Sequence, residues 1–209
     1  VLDHQSRFGL ASKLIDPTQL MIEMYDHHEL IKRLLAIISE AIIDAVDAQK
    51  QVTREVIGDD KLLIGSHWQP DFHNHMIIWD DYVSVINPDQ YRNFCKDFNE
   101  EIFEKFGEGH LHTCGPVLEG PLKAMLETKG CRSIELTTLR GTTRTGKDLL
   151  ELKQKTLGKC VLIGSLAEID VVTPSVEEYR LGKEKIDLEF VRKMNRHGGF
   201  IWVESGSLE

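Results

Sequence analysis

The chain has 209 residues, 41% of them hydrophobic and 28% charged, with a formal net charge of −9. That is enough apolar material for a substantial core, which excludes a disordered chain. The lysines and arginines are scattered rather than gathered into a basic stripe, which argues against a nucleic-acid partner. No apolar run is long enough to span a bilayer and none has the form of a secretory h-region, so no membrane association is expected. Cys95, Cys114, Cys131 and Cys160 lack the paired spacing of a zinc ribbon, and a reducing cytoplasm is the expected compartment.

Three segments share one helix-start chemistry. Asp16-Pro17, Asn87-Pro88 and Thr173-Pro174 each place a capping side chain before a proline suited to the first helical position. Gln19 and Gln90 stand where a capping box would put them. Leu30, Leu34, Ile38, Ile42 and Val46 draw an apolar stripe that predicts a long helix after His27 and His28. Tyr91, Phe94, Phe98, Ile102 and Phe106 predict a second over 87–106, stopped by Gly107. Further helices are expected over 117–128, 146–157 and 174–196.

Between the helices lie short apolar runs: Met76 to Trp79, His110 to His112, Ser133 to Leu136, Val161 to Ile163 and Phe200 to Val203. Their brevity and lack of clean alternation suit parallel strands covered on both faces. The order strand, helix, strand, helix reads as about five βα units, against the eight of a closed (β/α)8 barrel. The expected fold is therefore α/β, a TIM-barrel type lacking its first strands, in one domain over 1–209. The segment from Gly58 to Asn74 reads as a functional loop or an insertion.

In such a barrel the chemistry gathers at the C-terminal ends of the strands. That rule selects Asp80 and Asp81, His112 and Cys114, Glu135, Gly164 and Ser165, and Trp202 and Glu204. Asp80 and Asp81 suit a general base or a substrate anchor, although adjacent strand residues diverge and at most one would face the cavity. His112 and Cys114 are two apart and point to the same side of a continuing strand. An imidazole and a thiolate suit Zn²⁺; the alternative is a small buried cysteine beside a hydrogen-bonded histidine. Cys95, Cys131 and Cys160 read as structural. Gly141 to Lys147 fits seven positions of a P-loop, but Asp148 replaces the hydroxyl that would bind Mg²⁺, leaving a plain βα loop.

The run Asp80-Asp81 through Ile86-Asn87-Pro88-Asp89-Gln90-Tyr91, followed by Phe106-Gly107-Glu108-Gly109-His110-Leu111-His112-Thr113-Cys114-Gly115, resembles the uroporphyrinogen decarboxylase superfamily. An acidic strand end, a Pro-led helix start and a helix leading into H-x-CG carry the likeness. Phe8 to Ala11 and Gly198 to Ile201 extend it towards both ends, so the chain resembles the later part of such a barrel, with the first strands preceding Val1. The resemblance implies either cofactor-free porphyrinogen decarboxylation or zinc-dependent methyl transfer with a corrinoid supplied by a partner protein. In the thiol-methylating branch H-x-C and a later cysteine hold the zinc. His112 and Cys114 match the first two ligands; no cysteine follows Gly199, which leaves Glu204 or Glu135 to complete the site.

Methyl transfer to a small-molecule substrate is the favoured expectation, with His112, Cys114 and Glu204 on the metal and Glu135, Asp80 and Asp81 as catalytic groups. Decarboxylation is the alternative. A third possibility is an inactive fragment with a structural or interaction role. Self-association is expected, because an opened barrel exposes strand edges and its apolar inner face.

Overall fold

A computed structural model describes residues 5–58, 76–113, 117, 119–135, 146–165, 192–193 and 195–203. The backbone alone is described for 57, 146–149, 164–165 and 200–203. The N-terminal third is helical: α1 (Arg7–Leu14), α2 (Pro17–Asp26) and α3 (His28–Ile57). Strand β1 (Met76–Trp79) follows, then a 3₁₀ turn (Asp81–Ser84), α4 (Pro88–Tyr91), a π-helical turn (Arg92–Lys96) and α5 (Asp97–Phe106). The remainder alternates: β2 (Gly109–His112), α6 (Glu119–Met125), β3 (Cys131–Glu135), α7 (Gly146–Thr156), β4 (Val161–Ser165) and β5 (Phe200–Val203).

The five strands form one sheet in the order β1-β2-β3-β4-β5, and every neighbouring pair is parallel. This is the α/β alternation expected from the sequence. Sequential parallel order is what successive βα units of a barrel would give, and an open sheet could share it. Gln5 forms an isolated parallel bridge to Trp79 on the free side of β1.

Two of the three Pro-led helix starts lie among the described residues, and both form. Asp16 accepts from the backbone N–H groups of Thr18 and Gln19, and Asn87 closes a full capping box with Gln90. Thr173-Pro174 and most of 174–196 fall outside the described residues, as do His67, His73, His75 and 141–145.

One helical reading needs correction and a second needs detail. The buried stripe of α3 is Ile31, Leu35, Ile38, Ile42 and Val46, whereas Leu30 is 59% exposed and Leu34 only partly buried. Strict spacing by four winds about 40° round the helix at each step, so one three-residue step is needed to keep a stripe on a single face. The expected helix over 87–106 forms as one continuous helical run from Pro88 to Phe106, with the π turn inside it, where Arg7 Nε donates to the Phe94 carbonyl at 2.7 Å. Gly107 does end α5, at a φ of 105° that few other residues adopt.

The main core lies between the helices and one face of the sheet. It includes Met76 and Ile78 of β1, Leu111 of β2, Ile134 of β3 and Leu162 of β4. Because side chains alternate along a strand, the other face carries Ile77, Trp79, His110, His112, Ser133, Glu135 and Ile163. Ile77, His110, Glu135 and Ile163 are nonetheless buried. The second face therefore holds polar chemistry away from solvent.

Candidate metal centre

Register brings the candidate residues together. Ile77 pairs with His110 and Trp79 with His112; His110 pairs with Ser133, so two residues further on His112 and Glu135 stand side by side at the C-terminal ends of β2 and β3. All four polar residues point to the same face, and all are buried.

His112 Nδ1 lies 2.6 Å from Glu135 Oε2, and His110 Nε2 lies 3.3 Å from the same oxygen. The other ring nitrogen of His110 meets Ser133 Oγ at 2.8 Å. The ligand-capable atoms of His110, His112 and Glu135 all fall within 4.8 Å of one another, so this group could hold a metal ion. Two imidazoles and a carboxylate suit Zn²⁺, and three protein ligands are the number found where a metal keeps a position open for substrate. The indole of Trp79 packs on the imidazole of His112 with ring centroids 3.9 Å apart.

Protonation states match that use. Burial pushes the Glu135 carboxyl upward, but hydrogen bonds from His110 and His112 outweigh it and hold the group down at about 2. Burial lowers the pKa of His110 despite the neighbouring carboxylate. The carboxylate is thus charged and the His110 ring neutral at neutral pH, the forms in which both bind metals.

The structure brings together two of the residues selected from the sequence, His112 and Glu135. Cys114 and Glu204 fall outside the described residues. Asp80 goes elsewhere. It follows Trp79, on the sheet face that packs against the helices, where it is fully buried and its Oδ2 accepts from Asn99 Nδ2 at 3.2 Å. Asn99 Nδ2 also lies 3.1 Å from Tyr91 Oη, which in turn lies 3.0 Å from Thr128 Oγ1. Burial raises the Asp80 pKa, against the Asn99 hydrogen bond and the attraction of Arg7. Asp81 is partly exposed in the 3₁₀ turn.

His110 is the residue that sequence reasoning missed. The spacing that linked His112 to Cys114 links His110 to His112 equally well, and the signal was therefore present as H-x-H-x-C. Ser133 carries no such signal, since its part depends on strand register. A cavity of about 650 Å³ opens at the opposite, N-terminal ends of β3 and β4, lined by Glu108, Arg132, Cys160 and Ser133 among others. Ser133 lines that cavity and also meets His110, but His110, His112 and Glu135 do not line it, so the cavity lies at the end of the strands away from where the sequence places the chemistry. Cys95, Cys131 and Cys160 are all buried, as structural cysteines would be.

Among the described residues no helix is long and apolar enough to cross a membrane. No protein-family model matches the chain, and no curated protein matches it.

Proposed function

We propose that this chain belongs to a zinc-assisted, corrinoid-linked methyltransferase resembling the uroporphyrinogen decarboxylase superfamily, with a small molecule as methyl acceptor and a corrinoid protein as the donor's carrier. The observation that carries the reading is the contact between His112, the histidine of the H-x-CG run, and Glu135 on the next strand, both buried at the C-terminal ends of parallel strands. Those ends are where barrel enzymes of this type place their reacting groups.

His112 and Cys114 are the two ligands that the resemblance implies, and Glu135, in contact with His112, is the residue placed to complete the set. Zinc, when bound, would act as a Lewis acid that lowers the pKa of an acceptor thiol. The chain's own contribution is positional. β2 and β3 fix the two side chains on adjacent strands, Trp79 packs against His112, and burial excludes water that would compete for the ion. Solubility in the cytoplasm and a tendency to self-associate complete the proposal.

Incubation with methylcobalamin and a small thiol tests it. Methylated thiol that forms only with zinc supports the reading. Loss of carboxylates from uroporphyrinogen by the same preparation would assign decarboxylation instead, and neither activity in the full-length protein would remove both.

A further inference from the structure

The ligand set implied by the resemblance contains thiolate, whereas among the described residues, which do not include Cys114, three nitrogen and oxygen donors converge, the number that a site with an open position uses. We propose that the metal is held by His110, His112 and Glu135, a set free of thiolate, with Ser133 as the residue that positions His110. The inference deepens the proposed reading of this site, since it relies on metal dependence, but it does not require methyl transfer.

Several observations converge. The three donors come from two hydrogen-bonded neighbouring strands and project from one face, so their spacing is fixed by sheet register rather than by a loop. His110 presents Nε2 and His112 presents Nδ1 to the same carboxylate oxygen, at 3.3 and 2.6 Å. The non-ligating nitrogen of a metal-bound histidine is normally held by a hydrogen-bonding partner that fixes the ring's tautomer and orientation. Ser133 Oγ, 2.8 Å from His110 Nδ1, is such a partner, and its hydroxyl is itself buried.

Charge distinguishes this set from a thiolate one. Two neutral imidazoles and one carboxylate leave a divalent ion with one net positive charge, and three protein ligands leave a coordination position free. The ligand class for that position is an anionic small-molecule group. Nitrogen and oxygen donors also place fewer restrictions on the metal than thiolates do, so Co²⁺ and Ni²⁺ should be accepted beside Zn²⁺.

Cobalt makes the ligand set visible without any assay of activity. The full chain, freed of metal and titrated with Co²⁺, should bind about one ion per chain and develop visible ligand-field absorption without a thiolate-to-cobalt charge-transfer band. Cys114→Ser should leave the spectrum unchanged. His110→Gln and Glu135→Gln should weaken Co²⁺ binding by roughly 100-fold or more, and Ser133→Ala by about 10-fold, with Ser133→Thr restoring it. A charge-transfer band that disappears in Cys114→Ser would put a thiolate on the metal and overturn the inference. So would the absence of Co²⁺ and Zn²⁺ binding by the native chain, a measurement that needs no variant to fold. Metal binding of this kind without methyl transfer would leave the ligand assignment standing and remove only the proposed reaction.

Discussion

The indole of Trp79 lies against the imidazole of His112, ring centroid to ring centroid 3.9 Å, and Trp79 and His112 are also paired in register across β1 and β2. An indole this close to a metal-binding ring responds to any change in that ring's charge or orientation. Zinc added to metal-free protein should therefore change the tryptophan emission, with saturation at the affinity measured by dialysis. Trp79→Phe should abolish most of the change while leaving zinc affinity within about threefold, because Trp79 supplies no ligand. An undiminished change in the variant would place the ion away from His112.

Asp80 makes a prediction of opposite kind, about stability rather than binding. Its folded pKa is raised by burial, so above the unfolded value the fold must either bury the charge or take up a proton, and both cost stability relative to a carboxylate in water. As pH falls through that raised value towards the unfolded one, the folded state takes up the proton first and stability attributable to Asp80 rises. Asp80→Asn removes the charge and keeps an oxygen to accept from Asn99. The variant should be as stable as the native chain or more stable at pH 7, by about 1 kcal/mol, and the difference should shrink as pH falls through the raised pKa. Thermal melts of the two proteins across pH check this; a gap that widens on acidification refutes it.

Gly109 opens β2 directly beneath Phe103. A β-carbon placed on it would come within 1.7 Å of the ring of Phe103, which is itself buried in the core. Gly109→Ala should cost about 3 kcal/mol or more by overpacking, at the strand that carries both histidines. Gly158, with a φ of +79° and nothing within 4 Å of the added carbon, separates the two ways a glycine can matter. Its alanine variant should lose only the backbone term, about 1–2 kcal/mol. Denaturant midpoints should rank the two in that order.

Sheet edges carry the last prediction. β5 pairs with β4 on one side, and among the described residues no strand pairs with its other side. Unpaired parallel edges recruit further strands. Sedimentation at micromolar concentration should show reversible association; a monomer with a single cooperative melt would mean that this edge is covered within the chain.

What could be read from the sequence follows from what each signal depends on. Capping chemistry is local, and Asp16-Pro17 and Asn87-Pro88 announced α2 and α4 because the donor and acceptor lie within three residues of each other. Strand positions were equally visible, because short apolar runs between helices have few other uses. His112 and Glu135 were selected by a rule about strand ends. Their contact needed register, which decides that Glu135 stands beside His112, and no pattern along one strand contains that information. The π turn was hidden for a related reason. Tyr91, Phe94 and Phe98 fit a regular helix on paper, and only the packing of Arg7 against the Phe94 carbonyl and the Phe98 ring shows the extra residue. The direction of Asp80 was half legible: alternation demanded that Asp80 and Asp81 diverge, without saying which would turn towards the helices.

The widened turn over Arg92–Lys96 amounts to one residue more than a regular helix needs between Tyr91 and Phe98. Removing a single residue there would rotate everything before the deletion by about 100° relative to everything after it. Tyr91 and Asn99 would then no longer meet, and the Asp80 carboxylate would lose the Asn99 amide that donates to it. Homologues that keep this aspartate and this asparagine should therefore align across 91–99 without a gap, and a one-residue gap in that interval should coincide with a change at position 80 or 99.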